Sequence, residues 1–323
     1  MTKVTVAIAS YNMANYLPDA IDSALAQDHD DVEVVVVDDG STDDTREVVS
    51  RYGRKVRFLW QENAGVADAY NRALELVKGE YVCFLDADDV LTPSTVGRLA
   101  ALLDESPSAG LAHGDALVMD AGGEVHGTRV APASFDGRRL IPSAEAFKEL
   151  LRGCHITFSS VMLRGSILDK IVPFRQKSVP GEDWDLWLRV AAEYDVAHLP
   201  ISACYYRVHE ASITSAYTVE RVMRSHLYTL DTIFGNPTFR YAHLRNYAYA
   251  CLDRTIARVA ARARERRRFI GELRNALVRQ PSIALEGATV ATVVEGLKAM
   301  LPAPVIRAGR RLRSGIATRI VSL

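Results

Sequence analysis

Short apolar runs alternate with amphipathic stretches through the first hundred residues. Residues 4–9, 32–37, 56–60 and 81–85 are rich in β-branched and aromatic side chains and predict buried strands. Between them, 16–27 sets Leu17, Ile21, Ala24 and Leu25 on one helical face. Ser41, Thr42 and Asp43 offer N-caps to a helix reaching about Tyr52. A further helix is predicted over 66–77, ended by Lys78-Gly79. Thr92-Pro93 begins another, a cap followed by proline in the first turn. This alternation predicts a parallel sheet with right-handed crossovers and helices on its faces.

The pattern then changes. Strand-like stretches at 110–119 and 159–163 mix with turns at Ala121-Gly122-Gly123 and Asp136-Gly137, a continuation of the sheet with a loop-rich acceptor side. A helix is predicted over 183–193 and a strand over 196–206. From about Thr218 the chain reads as helical. Leu252, Ile256, Val259, Ala263, Arg266, Ile270, Leu273 and Leu277 recur at alternating spacings of four and three, an apolar seam broken once by Arg266. Such a seam packs within the chain or forms a homodimer. Two domains are expected, 1–214 and a helical extension over 215–323.

Composition fits a globular protein, with 48% hydrophobic and 24% charged residues in 323. Four scattered cysteines without a CxxC pair argue against a disulfide framework or a zinc site and fit a cytoplasmic protein. Met1-Thr2-Lys3 runs straight into a strand, with no signal peptide and no apolar run of about 18 residues. Charge is unevenly placed. Residues 215–323 hold 18 Arg and 1 Lys against 2 Asp and 5 Glu, a net of +12, which leaves −13 for 1–214. The arginines at 262–268, and those among Val, Ile and Leu at 305–320, suit a solvated helix face or attachment to an anionic membrane surface. Nucleic acid is disfavoured, because no aromatic-basic interleaving appears.

Four polar motifs carry the chemistry: Asp38-Asp39-Gly40-Ser41, Asp86-Ala87-Asp88-Asp89, Glu182-Asp183 and Tyr206-Arg207-Val208-His209. The first two close buried strands, where a carboxylate is costly unless it binds something. Ligands of open α/β sheets bind at those strand ends. Three carboxylates within four residues also repel unless a cation intervenes. The pattern predicts a metal and nucleotide site.

Six segments, VAIASYNMANYL (6–17), VVVVDDGSTDDT (34–45), NAGVADAYN (63–71), GEYVCFLDADD (79–89), GEDWDLWLR (181–189) and YRVHEASIT (206–214), together resemble the family 2 inverting glycosyltransferases with a GT-A fold. The resemblance implies an α/β fold with a mostly parallel, Rossmann-like sheet and a nucleotide-diphosphate sugar as donor. Asp88 would be the main ligand of a divalent metal, Mn2+ or Mg2+. Asp86 would touch the ribose or a metal-bound water, with Ala87 between them in the donor loop. His209 would be a further ligand or diphosphate contact, and Asp89 a cap of the next turn. Ala9, Ser10 and Tyr11 would line the nucleoside, with Asp38 and Asp39 accepting from base or ribose. Asn63 and Gly65 would shape the adjoining loop. Tyr70 stands where relatives carry Arg, able to stack on a base without bringing charge.

By the same resemblance Asp183 is the general base of an inverting transfer, Glu182 positions it, and Trp184 faces the acceptor, whereas Trp187 among apolar neighbours reads as core. Cys154 and His155 read as wall residues at most. No QxxRW pattern follows Asp183, which favours addition of a single sugar. The acceptor would be a glycan or a lipid-linked molecule of cell-envelope polysaccharide synthesis, met in the cytoplasm or on the inner face of the plasma membrane. A nucleotidyltransferase would need a Gly-rich basic loop after the first strand, and Ser10-Tyr11-Asn12-Met13-Ala14 has neither feature. A non-catalytic glycan-binding module on the same fold is the other alternative.

Overall fold

The computed structural model describes residues 3–77, 79–132, 135, 137–212 and 217–300. In chain order the elements are β1 (Val4–Ser10), α1 (Leu17–Leu25), β2 (Val32–Asp38), α2 (Thr45–Ser50), β3 (Val56–Trp60), α3 (Val66–Leu74), β4 (Tyr81–Asp86), β5 (Val90–Leu91) and α4 (Thr95–Glu105). There follow β6 (Ala109–Asp120), β7 (Val125–Arg129), β8 (Leu140–Ile141), α5 (Ser143–Arg152), β9 (Val161–Arg164), α6 (Glu182–Glu193) and β10 (Asp195–Val208). Four helices close the described chain: α7 (Val219–Phe234), α8 (Arg245–Arg262), α9 (Arg266–Arg279) and α10 (Gly287–Met300).

One mixed sheet runs β3-β2-β1-β4-β9-β6-β10-β5, with β7 on β6 and β8 on β10. Its first four strands are parallel, as the βαβ alternation requires. Val34, Val35, Val36 and Val37 of β2 are buried, because helices cover both faces of such a sheet. β9 then enters antiparallel between β4 and β6. Register does the functional work here. Ser10 pairs with Asp38 and Ala9 with Asp86, so three strand ends lie side by side at the ~4.8 Å strand spacing.

The chain divides into two compact units, the first ending at Tyr241 and the second beginning at Ala242. The boundary expected at 214/215 falls on residues outside the described set, and α7 groups with the sheet. Residues 305–320 also lie outside it. In the second unit the expected continuous seam is broken. Arg264 takes φ +61, α8 stops, and α9 folds back on it. Phe269 and Ala276 take the inward positions of α9, whereas Ile270 and Leu277 are exposed. Small residues line the other side, Ala257, Ala260 and Ala261.

Gly296 of α10 completes this core, because a Cβ there would collide with ring carbons of the buried Phe269. Gly296→Ala is therefore expected to lower the urea midpoint of the second unit. Overpacking costs about 1–3 kcal/mol, against a helix-propensity gain of about 1 kcal/mol. A midpoint that stays or rises contradicts this packing.

Candidate active site

Two loops interlock over the ends of β1 and β2. Asn12, at φ +54, donates its N–H to Ser41 Oγ (2.9 Å) and accepts at Oδ1 from Thr42 N (2.8 Å). Asp43, expected to cap a helix, accepts from Ala14 N and from both N and Oγ1 of Thr45. Beneath them Ser10 is buried with its Oγ unpartnered, while the Tyr11 ring is exposed. Asp38 accepts from Ser41 N at 2.9 Å.

Asp39 differs from its neighbour. Its carboxylate takes Gln61 Nε2 (2.7 Å), Ala64 N (2.8 Å) and Gly65 N (2.8 Å). It is a clamp that sets the loop bearing Asn63 and Gly65, and those three donors occupy both of its oxygens. Gly65, at φ +94, has no room for a Cβ beside Gln176, which holds the loop from the other side. Gly40 is more confined, because backbone, Asn63 N, lies 2.7 Å from where a Cβ would lie.

At the end of β4 three carboxylates crowd together. Burial, then the charges of Asp89 and Asp88, push the Asp86 carboxyl well above the usual range, opposed by a hydrogen bond from Tyr70. Burial and the charge of Asp88 push Asp89 up to about 7. Asp89 does not cap the next turn. It accepts from Ser159 Oγ (2.6 Å) and Arg207 N (2.8 Å), tying β4 to β10 and to the turn before β9. Asp88 Oδ2 lies 2.9 Å from Nε2 of His209, which has crossed from the far end of the unit's sequence.

Arg207, in the same motif as His209, is a further member of the site. Its side chain is buried, donates through Nε to the carbonyl of Asp88 (2.7 Å), pairs with Asp19 (2.9 Å) and lies over the Tyr16 ring. An arginine among the apolar residues of a strand was the available signal.

Tyr70 does not present a ring to a base. It is 1% exposed and enclosed by Phe84, Phe158 and Phe174, with centroids 5.8, 4.7 and 5.6 Å away. It reaches the site through its hydroxyl, which donates to Asp86 Oδ1 (2.8 Å) and lies 3.0 Å from the Leu85 carbonyl.

Glu182 and Asp183 open α6 after Gly181, at φ +102, where the helix N-terminus favours negative charge. Asp183 Oδ1 accepts from Trp184 N at 2.7 Å, and the Cys154 thiol lies 3.8 Å from Oδ2. Burial raises the Asp183 carboxyl, opposed by that backbone N–H and by the charge of Arg129. Burial and the charge of Asp183 push Glu182 up to about 7. The charge of Glu182 also reaches Asp86. Tyr217 lies within reach of Glu182, Asp183 and Asp86, and burial together with these carboxylates pushes its phenol up. The fold thus brings the β4 and α6 acids to one space. Periodicity gave no signal for Tyr217 there.

Trp184 has no open face for an acceptor. It is 5% exposed, its Nε1 donates to the Leu150 carbonyl (2.7 Å), and its ring stacks on His226 at 4.6 Å. Trp187 is core, against Phe84 and Phe158.

Among the described residues, one trio of potential metal ligands has its atoms within 4.8 Å of one another: Asp120, Glu124 and His126 on the β6–β7 hairpin, largely exposed. At the strand-end site Asp88 and His209 form the close pair, and Asp86 turns toward Tyr70.

Tyr70→Phe keeps the ring packing and leaves Asp86 without this donor. Stability is expected to fall by about 1–3 kcal/mol, read as a shifted denaturant midpoint. An unchanged midpoint would mean that the hydroxyl contributes nothing.

Comparisons with known proteins bear on the fold and the family. The chain is 31% identical over 224 residues to an uncharacterised glycosyltransferase of Nostoc, a match spanning 65% of this chain and 66% of that protein. Among solved structures it resembles S. aureus TarS in complex with UDP, with a TM-score of 0.64, 19% identity and coverage of 96% of this chain and 91% of that one. A Pyrobaculum calidifontis mannosyltransferase in complex with GDP-Man and Mn2+ aligns with a TM-score of 0.55 at 20% identity, over 92% of this chain and 87% of that one. These likenesses establish the GT-A fold. The description of glycosyl transferase family 2 matches residues 5–167, just over half of the chain, and the protein belongs to that family.

Proposed function

We propose that this protein is a metal-dependent, inverting glycosyltransferase that moves one sugar from a nucleotide-diphosphate donor to a hydroxyl of a glycan or lipid-linked acceptor. The observation that carries the reading is the meeting of two acid groups from distant parts of the chain. Asp86, Asp88 and His209 lie at the strand ends, and Glu182 and Asp183 at the head of α6. The donors in the S. aureus and Pyrobaculum complexes, UDP-linked or GDP-linked, support a nucleotide donor, and the Mn2+ in the latter supports a divalent cation.

The residues present fit such a cation. Asp88 and His209 offer oxygen and nitrogen ligands 2.9 Å apart, beside carboxylates whose charges oppose one another. Imidazole beside carboxylate suits Mn2+ better than Mg2+. When bound, the cation supplies charge neutralisation for the departing diphosphate.

The chain's own groups supply the rest. The exposed Tyr11 ring receives the nucleoside above the strand ends that carry Ser10 and Asp38. Asp39 holds the 61–65 loop beside it, and Arg207 fixes the backbone of Asp88. Asp183 takes the proton of the acceptor hydroxyl as that oxygen attacks the anomeric carbon. The bond from this carbon to the diphosphate oxygen breaks on the opposite face, and the configuration inverts. A carboxylate whose pKa burial has raised is a stronger base than an exposed aspartate. Its oxygen is held by Trp184 N at the start of a helix. Glu182, bonded back to Gly181 N, positions this turn.

Asp183→Asn is expected to cut kcat/KM by about 10²–10⁴-fold while donor binding survives. Asp88→Ala or EDTA is expected to remove the metal-dependent thermal shift given by the cognate nucleotide sugar. That shift corresponds to about 2.7 kcal/mol at a hundredfold excess over Kd. Transfer by both variants at wild-type rates contradicts the mechanism.

The acid limb of the pH profile offers a second check. Asp183 acts only when deprotonated, and its raised pKa means that activity is lost as pH falls through a value above the ~4 of an ordinary aspartate. Glu182→Gln is expected to keep that limb. A kcat/KM profile that stays flat down to about pH 4 would remove Asp183 from the role of base.

A further inference from the structure

The helix α10 is packed inside out. Its buried side carries Thr289 and Thr292, at 4% and 0% exposure, and Gly296 against Phe269. Its outer side carries Val290, Ala291, Val294 and Leu297, with Val290, Val294 and Leu297 at 54%, 43% and 57%. These follow at helical spacing and form one stripe. The inversion has a cause. Glu286 and Glu295 face α8, where they pair with Arg254 (2.6 Å), Arg262 (2.7 Å) and Arg258 (3.7 Å). Charge and small polar residues bind α10 to its unit, which leaves the aliphatic side outward. A contiguous exposed apolar stripe on a helix marks a surface built for contact.

The charge of the unit selects the partner. Lys298 flanks the stripe and is exposed. On α9, Arg267, Ile270, Arg274 and Val278 share one exposed face, and neither arginine has an acidic partner among the described residues. Residues 242–300 hold ten Arg and one Lys against five carboxylates, and 301–323 add five Arg with no acid. Two copies meeting on this surface would bring like charges together. Aliphatic residues mixed with unpaired arginines match an anionic lipid interface, where apolar side chains enter the acyl boundary and guanidinium groups stay among the headgroups.

We propose that the outward stripe of α10 docks the second unit, with its net positive charge, on an anionic lipid bilayer. The inference concerns this unit alone and stands independently of the catalytic reading.

The test is co-sedimentation of the full chain with phosphatidylcholine vesicles, with and without phosphatidylglycerol. Binding is expected only to the anionic vesicles and is expected to weaken as salt rises. The double substitution Val294→Glu with Leu297→Glu is expected to reduce the partition roughly tenfold or more. Both positions are exposed, so its circular dichroism and its thermal shift with nucleotide sugar should match wild type. Arg267→Glu with Arg274→Glu should weaken binding and flatten the salt dependence. Absence of wild-type binding, or undiminished binding by the α10 variant, overturns the proposal. So does a dimer, seen by light scattering without vesicles, that the α10 variant loses, for this assigns the stripe to a second copy.

Discussion

Like charges held close together in a poorly solvated space are the constraint on which the catalytic edge depends. Asp86, Asp88, Asp89, Glu182 and Asp183 lie near enough for their charges to act on one another, and the surrounding protein withholds water from most of them. Such a group persists only where donors or a counter-charge compensate. The compensation here is itemised by residue. Tyr70 and Ser159 hydroxyls, the Arg207 and Trp184 N–H groups and the His209 imidazole each meet one carboxylate. The Arg207 guanidinium binds backbone at Asp88 rather than a carboxylate of the group. It fixes the loop backbone there, and its charge also opposes the rise of the Asp89 carboxyl.

The aspartates accordingly divide by what they touch. Asp39 and Asp89 spend their oxygens on protein donors and tie together segments far apart in sequence. Asp88 and Asp183 each keep capacity beyond their protein contacts, and each retains some solvent access. Behind them Tyr70, Phe84, Phe158, Phe174 and Trp187 form one aromatic wall. That wall joins β4, α3, α6 and the turn before β9. It explains how a tyrosine is accommodated at position 70: the ring belongs to the wall and only the hydroxyl belongs to the site.

The second unit solves a different problem. Its α8 helix turns Ala257, Ala260 and Ala261 toward Phe269 of α9, which a glycine of α10 admits. Ion pairs between α8 and α10 supply the remaining attachment. Val290 and Val294 of α10 stay outward on the side away from Thr289, Thr292 and Gly296.

The sequence by itself determined seven of the ten described strands, though not the short β5, β7 and β8, most of the helices and the placing of acids at strand ends. Each of these is written in near-neighbour patterns: β-branched runs, helical periodicity, and a carboxylate where a run stops. The pairing of Ser10 with Asp38 and of Ala9 with Asp86 follows once those strands are parallel and adjacent. Only the tertiary structure decided which side chains remain open. Trp184 is closed by His226 and Leu150, Tyr70 by Phe158 and Phe174, and Asp39 by the 61–65 loop, and no local pattern announces those partners. The break at Arg264 was equally hidden, because a spacing of four and three continues unchanged through a turn that reverses the helix. Periodicity records which residues can share a face. What covers that face depends on segments that meet only when the chain has folded.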